Sequence, residues 1–277
     1  DKAVTATGGL AQVVTLTAQD LIDLGEGGVQ VSAVQEDPAG NVSPSTSATS
    51  TPVIDTTDPN DATITLTPGV SNPIGTTTAT DPAGFISVEG EAGAEIIVTF
   101  TDGSANVVTK TIIGSGAAQQ VSLSAADLLL LDDGSVTVAV SQTDAAGNPQ
   151  ANPASSDSIT LDTDVPLAPV LALGTGVGDG ATAGEATQVG GVVTVNGEAS
   201  SSIEVTFTGS NGSVIKTIAG TGSADAVTLN TNDLGNIGGG TVTVSAIQTD
   251  AAGNTQTEPA SSIIFELTIP IAPTVDA

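Results

Sequence analysis

A five-residue motif recurs along this chain at a nearly constant interval and constrains the fold more than any other feature. It reads DPAGN at Asp37–Asn41 and DAAGN at both Asp144–Asn148 and Asp250–Asn254, with spacings of 107 and 106 residues. The flanking sequence keeps the same register, since VTFTDGSANVVTKTI from Val98 matches VTFTGSNGSVIKTI from Val205. Three copies in step predict a tandem array of similar domains.

This register divides the chain into four parts. Residues 1–56 correspond to the C-terminal part of one repeat, 57–163 and 164–268 to two complete repeats (the second and third), and 269–277 to the start of another. Units of this length fall within the size range of single domains. We therefore expect two whole domains in an array that continues in both directions.

Within the second repeat, short runs of alternating apolar and polar residues are separated by turn residues. Such alternation predicts half-buried strands, while Ala125–Leu131 predicts a single helical turn. The predicted strands are Ala62–Thr67, Phe85–Glu89, Glu95–Thr101, Val107–Ile113, Gln120–Ser124, Ser135–Thr143 and Ser155–Leu161. Seven strands in a unit of this length predict an all-β fold of tandem seven-stranded immunoglobulin-like β-sandwiches in an elongated array.

The charge of the chain restricts its partners. Thirty-one acidic residues against three basic ones give a formal net charge of -28 at pH 7. This charge repels nucleic-acid phosphates and anionic membrane surfaces. No apolar run reaches the roughly 18 to 20 residues needed to cross a bilayer. We therefore expect no nucleic acid and no direct membrane insertion, and divalent cations are the natural counterions.

Common catalytic chemistry is absent from the sequence. The chain has no His, Cys, Tyr or Arg, so the usual pairs of nucleophile and general base cannot be assembled. We expect a protein that is not an enzyme. Lys110 and Lys216 occupy equivalent positions, and we interpret them as solvated charges on an edge strand in preference to isopeptide crosslinks.

Acidic side chains are predicted to gather where consecutive repeats meet. In an immunoglobulin-like sandwich, the entering linker, the loop between the second and third strands and the loop between the sixth and seventh strands share one pole. Calcium prefers six to eight hard oxygen ligands, and a chain without His or Cys offers little to zinc or copper. The predicted Ca²⁺ ligands are Asp55, Asp58, Glu91, Asp144 and Asn148 at the first junction, and Asp162, Asp164, Glu198, Asp250 and Asn254 at the second.

The same residue types also have a simpler interpretation. Asp, Asn and Gly form turns, and an Asx turn alone accounts for DAAGN. The repeated Asp20, Asp127 and Asp233 are predicted to cap the helical turn. The acidic residues of the corner that contains this turn, at the opposite pole of the preceding repeat, are second-choice ligands: Asp20, Asp23, Glu26, Asp132 and Asp133. Convergence at one pole in two copies favours the metal site, and the turn interpretation stays open.

The segment Gln142–Pro169, QTDAAGNPQANPASSDSITLDTDVPLAP, resembles the bacterial Ig-like tandem repeats of large, type I secreted (RTX-like) surface adhesins, including biofilm and ice-attachment adhesins. The specific parts are the DxAGN turn and the DTxxP linker, found at Asp55–Pro59 and Asp162–Pro166. The resemblance implies an extracellular spacer at the cell surface, stiffened by calcium near its linkers. The next linker, ELTIPIAP at Glu266–Pro273, lacks the aspartates.

Three functions are compatible with this organisation. The first is a structural extender of a cell-surface adhesin, whose partners are neighbouring repeats of the same chain. The second is a subunit of a self-associating extracellular fibre or surface layer, in which another chain completes the partial first repeat. The third is a ligand-binding adhesive module, which the lack of an aromatic platform and of regular Thr-x-Thr ranks disfavours. The sequence favours the extender.

Overall fold

The first 56 residues form a helix and two short strand pairs. The computed structural model describes residues 1–9, 11–152, 155–178, 180–256 and 262–269. The elements of this part are α1 (Ala18–Leu24), β1 (Gly27–Gly28), β2 (Ser32–Ala33), β3 (Thr46–Ser47) and β4 (Val53–Ile54). β1 pairs with β4 and β2 with β3, both antiparallel. Nearly all described side chains here are exposed.

The second repeat consists of two antiparallel sheets that share one hydrophobic cluster. Its elements are β5 (Thr63–Leu66), α2 (Thr76–Thr80), β6 (Ile86–Glu89), β7 (Glu95–Asp102), β8 (Val107–Ile113), β9 (Gln119–Val121), α3 (Ala125–Leu128), β10 (Gly134–Thr143) and β11 (Ser155–Leu161). The sheets have the orders β5-β6-β9 and β11-β10-β7-β8. All seven predicted strands are present. The fourth strand pairs with the third, whereas constant-type immunoglobulin domains place it beside the fifth.

The third repeat follows the same plan. Its elements are β12 (Val170–Leu173), β13 (Ala181–Thr182), α4 (Ala183–Ala186), β14 (Val193–Asn196), β15 (Ser202–Thr208), β16 (Ser213–Ala219), β17 (Ala224–Val227), α5 (Thr231–Ile237), β18 (Gly240–Thr249) and β19 (Ile263–Thr268). The sheets have the orders β12-β14-β17 and β13-β19-β18-β15-β16. The all-β sandwich fold is therefore confirmed. Residues 269–277 are predicted to open a further repeat, and all of them except Ile269 lie outside the described residues. The repeat limits themselves stay predictions.

Each complete repeat has its own core, built mostly from aliphatic side chains. Inward and outward residues alternate along β7, as the period of two predicts. In the second repeat, the rings of Phe85 and Phe100 lie 6.0 Å apart at 44°. In the third, Phe207 and Phe265 belong to a separate cluster. All four phenylalanines of the chain are thus buried in these two cores.

The helical turn before the sixth strand of each repeat begins with a capping box. The capping residues are Thr17, Ser124 and Asn230, and each bonds the Asp three residues later. The predicted capping role of Asp20, Asp127 and Asp233 is confirmed. The longest helices in the described part of the chain have seven residues, too few to cross a bilayer.

Lys110 and Lys216 are not the solvated charges that the sequence predicts, and Lys2 behaves as they do. Each forms an ion pair with the capping Asp of its own repeat, and the pairs are Lys2–Asp20, Lys110–Asp127 and Lys216–Asp233. Partial burial acts to raise the pKa of Asp127, but hydrogen bonds from Lys110 and Ser124 outweigh it and leave the pKa below its ordinary value. In the second and third repeats these pairs connect an edge strand, β8 or β16, to the helical turn.

Candidate junction site

Both linkers contact the turn between the sixth and seventh strands of the repeat that they enter. At the first junction, the Asn148 side-chain amide donates to the carbonyl of Asp55 at 3.1 Å. At the second, the Asn254 side-chain amide donates to the carbonyl of Asp162 at 2.8 Å. The structure therefore brings linker and turn together in both copies, as the strand order of a sandwich requires.

The aspartate of the DAAGN turn is occupied by the turn itself. Asp144 Oδ1 accepts hydrogen bonds from the backbone amides of residues 146–148, each at 2.8 Å, and Oδ2 accepts from the Asn148 side chain at 2.8 Å. These bonds, first that of the Asn148 side chain, lower the pKa of Asp144. Asp250 binds the backbone and side chain of Asn254 in the same way. This geometry is what the turn interpretation predicts.

A buried glutamine, which the sequence analysis missed, fixes the linker to the second repeat. Gln142 is 3% exposed. Its side-chain amide donates to the carbonyl of Asn60 in the linker, and its Oε1 accepts from the backbone amide of Glu91 at 2.9 Å. Gly90 makes room, because a Cβ there would lie 2.5 Å from Gln142 Oε1. One side chain thus ties the linker to the loop between the second and third strands.

The third repeat has the same arrangement. The side-chain amide of Gln248 donates to the carbonyl of Leu167, and its Oε1 accepts from the backbone amide of Glu198 at 3.1 Å. A sequence signal exists, because Gln precedes the turn Asp by two residues at Gln35, Gln142 and Gln248 alike. The glutamine is therefore part of the repeated motif, which extends to QxDxAGN.

Of the other predicted ligands, some contact the linker and others are exposed to solvent. Glu198 Oε1 accepts from the backbone amide of Leu167 at 3.2 Å, so this side chain does touch the linker. Its equivalent Glu91 is exposed, and so is Asp58; the side chains of both make no hydrogen bond with other described residues. Asp164 is also exposed. The two junctions are thus alike in the linker, glutamine and turn, and differ in the glutamate.

Three carboxylates lie near enough to Asp162 at the second junction to oppose its negative charge. Partial burial raises its pKa above the ordinary value of 3.8, and the charges of Asp250, Asp133 and Asp164 act in the same direction. These groups come from the linker, from the turn of the third repeat and from the end of the helical turn of the second. Ionisation of Asp162 is therefore less favourable here than in water.

Glu26 and Asp133, two of the second-choice ligands, bind the first residues of the two linkers. Asp133 accepts from the backbone amide of Thr163 at 2.8 Å and from its hydroxyl at 2.9 Å. Glu26 accepts from the Thr56 amide at 3.0 and 3.1 Å and also from its hydroxyl. The acidic residue at this corner and the Thr of the DTxxP linker therefore form one repeated contact.

The oxygen ligands at the second junction are of the kind that calcium prefers, but they do not surround a common point as a complete coordination sphere would. The groups present are carboxylates, carbonyls and an amide, which are hard ligands. Among the residues that the structure describes, no three His, Cys, Asp or Glu side chains form a group that could hold a metal ion. The Asp250 side chain already accepts a hydrogen bond from Asn254 in its own turn. The negative charge of Asp162, by contrast, is repelled by the neighbouring carboxylates.

The pH dependence of stability is expected to follow these shifts. Because the pKa of Asp162 is raised by folding, stability should increase as the pH falls through that pKa toward 3.8. Asp144 and Asp102, the latter bonded first by the Asp132 amide, have lowered pKa values. Their contribution is present above 3.8 and is lost as the pH falls further. We expect the highest thermal stability at mildly acidic pH.

Differential scanning calorimetry between about pH 3 and 7 checks this expectation. Asp162→Asn should abolish the gain at mildly acidic pH and keep the loss in strong acid. The exposed Asp157→Asn is the matched control and should change neither. A pH profile of Asp162→Asn that matches the unsubstituted chain would contradict the electrostatic role of Asp162.

Comparison with known proteins finds similarity in structure only. No protein-family model and no curated protein matches the chain. Among solved structures, it is similar to a tetra-tandem repeat in the extending region of a large adhesion protein, with 24% identity, 91% of this chain, 60% of that chain and a TM-score of 0.32. It is also similar to a Ca²⁺-stabilised adhesin that helps an Antarctic bacterium reach out and bind ice. The identity is 23%, the match covers 90% of this chain and 58% of that chain, and the TM-score is 0.37.

A 1.5-MDa bacterial ice-binding adhesin is similar at 22% identity, over 92% of this chain and 78% of that chain, with a TM-score of 0.34. The structures similar to this chain therefore include tandem repeats of large adhesins. The chain spans about three fifths of the length of the first two, at 60% and 58%.

Proposed function

We propose that this chain is a segment of the extender region of a large bacterial cell-surface adhesin and acts as a spacer. The observation that carries the proposal is that each linker is fixed to the repeat it enters by the same two side chains, a buried Gln and a turn Asn. A linker fixed in this way is not a free coil, so it gives successive repeats a defined direction.

The sequence motifs support the assignment to adhesin repeats. The DxAGN turn and the DTxxP linker, on which the resemblance to adhesin repeats depends, are the parts that meet at each junction. The proposal includes the repeat limits 1–56, 57–163, 164–268 and 269–277, an extracellular location at the cell surface and a role without catalysis.

We also propose that calcium binds at the junctions and restrains them. The support is the charge around Asp162, where a cation would remove the repulsion from Asp250 and Asp133. The adhesin of the Antarctic bacterium is described as Ca²⁺-stabilised, but for this chain the proposal depends on its own carboxylates. The proposed ligand sets are Asp55, Asp58, Glu91, Asp144 and Asn148, and Asp162, Asp164, Glu198, Asp250 and Asn254.

Calcium titration tests this proposal. Isothermal titration should give a Kd of about 0.1 to 1 mM, typical of extracellular modules. Calcium at about 10 mM should then stabilise the folded state by about 1.4 to 2.7 kcal/mol per site. Asp162→Asn should weaken binding, and the control Asp157→Asn should leave it unchanged.

Small-angle scattering gives the functional readout. Chelation with EDTA should leave each sandwich folded, with its circular dichroism unchanged, and should reduce the maximum dimension as the string becomes more flexible. The absence of calcium heat together with an unchanged maximum dimension in EDTA would rule out calcium stiffening.

A further inference from the structure

Two consecutive repeats touch directly at Gly75. The turn 250–254 of the third repeat lies on the start of α2 in the second. The backbone amide of Thr76 donates to Asn254 Oδ1 at 3.1 Å, while the Asn254 amide nitrogen donates to the Asp162 carbonyl. Gly75 is buried, and Asn254 is only 5% exposed. One asparagine therefore binds the linker and the preceding repeat at the same time.

The contact depends on the absence of a side chain at Gly75. A Cβ at this position would lie 2.4 Å from the carbonyl oxygen of Ala252 and 2.9 Å from Asn254 Oδ1. The backbone of Gly75 has φ -86° and ψ 173°, an extended conformation that any residue can adopt. The demand for glycine therefore comes from the neighbouring repeat and not from the local backbone.

The third repeat has a different residue at the equivalent position. Thr182 has nearly the same backbone, with φ -73° and ψ 164°, and forms a capping box with Glu185. Its hydroxyl accepts from the Glu185 amide at 3.3 Å, and Glu185 Oε2 accepts from the Thr182 amide at 2.8 Å. In the second repeat, α2 has no side-chain cap of its own. The Asn254 side chain of the next repeat bonds its first amide instead.

The turn itself suits close docking in every repeat. Residues 251–253 are Ala, Ala and Gly, and they lie along a groove lined by Val70, Pro73 and Thr77 of the second repeat. The equivalent turns, DPAGN and DAAGN, are equally small. The turn is thus common to all copies, and the receiving surface is what differs between Gly75 and Thr182.

We infer that the second and third repeats are joined by direct docking of the 250–254 turn on Gly75, and that this contact needs no metal ion. Thr182 and its cap fill the equivalent surface of the third repeat, so a repeat that follows the third cannot dock there in this way. The array therefore contains two kinds of junction, one docked and one open. The open junction is also the one whose linker, Glu266–Pro273, lacks the aspartates.

Spin labels at equivalent exposed positions test the inference. The chain has no Cys, so Thr111→Cys and Thr217→Cys on the edge strands β8 and β16 give two unique labels. Pulsed electron paramagnetic resonance in EDTA should give one narrow distance peak. The double substitution Gly75→Thr and Thr78→Gln gives the second repeat an uncharged version of the Thr182 cap. It should preserve the fold and replace the narrow peak by a broad distribution.

Matched variants separate docking from folding. Gly103→Ala is the control, because a Cβ at Gly103 would meet no atom within 4 Å, and it should keep the narrow peak. Asn254→Ala removes the same contact from the other side and should also broaden the distribution. Circular dichroism melting reports whether each variant is folded. A narrow peak in both folded junction variants would overturn the inference.

The outcome also distinguishes this inference from the calcium proposal. A distribution that is broad in EDTA and narrow with added calcium would overturn metal-free docking while supporting calcium stiffening. A peak that is narrow in both conditions, and broad only in the junction variants, supports docking whatever the titration shows. If docking fixes the second junction, any loosening on chelation should arise at the first junction.

Discussion

Phe100→Ala is expected to lower the free energy of unfolding of the second repeat by about 3 to 5 kcal/mol and to leave the third repeat folded. Phe100 is fully buried, and its ring packs near Phe85 in a cluster confined to the second repeat. Aliphatic neighbours cannot fill the cavity left by a ring, so the loss is larger than for any surface change. Each kcal/mol should lower the unfolding midpoint by roughly 4 to 8 °C in a domain of this size.

Calorimetry should then resolve two transitions, with only the one of the second repeat displaced downward. Phe207→Ala is the matched variant and should displace the transition of the third repeat instead. The exposed Thr109→Ala should change stability by less than about 0.5 kcal/mol. If either phenylalanine variant destabilised both repeats equally, the repeats would be one cooperative unit and the division into independent domains would be wrong.

Gln142→Leu should destabilise the second repeat by about 1 to 3 kcal/mol and release the linker that enters it. Leucine has a similar volume, so packing is largely kept. The loss arises because the Glu91 amide and the Asn60 carbonyl no longer have their buried partner. Gln248→Leu should do the same to the third repeat through Glu198.

Urea unfolding measures the stability change, and hydrogen exchange at the Glu91 amide reports the released contact. Gln120→Leu is the control, because the Gln120 side chain likewise makes two hydrogen bonds, accepting from the Thr67 hydroxyl at 2.6 Å and donating to the Ser87 hydroxyl at 3.3 Å, but on the exposed face. It should cost less than about 1 kcal/mol. Unchanged exchange at Glu91 in Gln142→Leu would show that the glutamine does not secure this loop.

The strands were predictable because their physics is local and periodic. Side chains of a strand alternate between two faces, so an apolar residue at every second position predicts a strand. In β7 and β10 those residues are buried, as the pattern predicts. The helices α2 and α4 were not predicted, because TTTAT and AGEA have no apolar period. Short helices of this kind depend on contacts between residues that are distant in sequence, which no local pattern predicts. One such contact is the hydrogen bond from the Thr76 amide to Asn254 Oδ1.

The candidate site was predictable in its location and less so in its chemistry. The strand order alone places linker and turn together, as Asn148 and Asp55 show. Whether the turn Asp faces a cation or its own backbone is decided by hydrogen bonds, and Asp144 satisfies its backbone. The raised pKa of Asp162 results from burial and from charges distant in sequence, which no local motif reports.

Two features missed in the sequence had a signal in the repeats. The buried Gln stands two residues before the turn Asp in each copy, but a polar residue on an alternating strand is normally taken for a solvent-facing one. Lysine and capping Asp keep a separation of 18, 17 and 17 residues in the three copies. A constant separation of opposite charges indicates a contact, and the three ion pairs confirm it.

If the proposed spacer stands in many copies on one cell surface, those ion pairs have a further consequence. The chain has only three basic side chains, and each is bound to an aspartate of its own repeat. The outer faces of parallel strings therefore offer carboxylates to one another and no lysine to bridge them. At physiological ionic strength such repulsion extends about 8 Å from each surface. A dense layer of these strings should behave as a charged brush, in which mutual repulsion opposes bundling and favours upright chains.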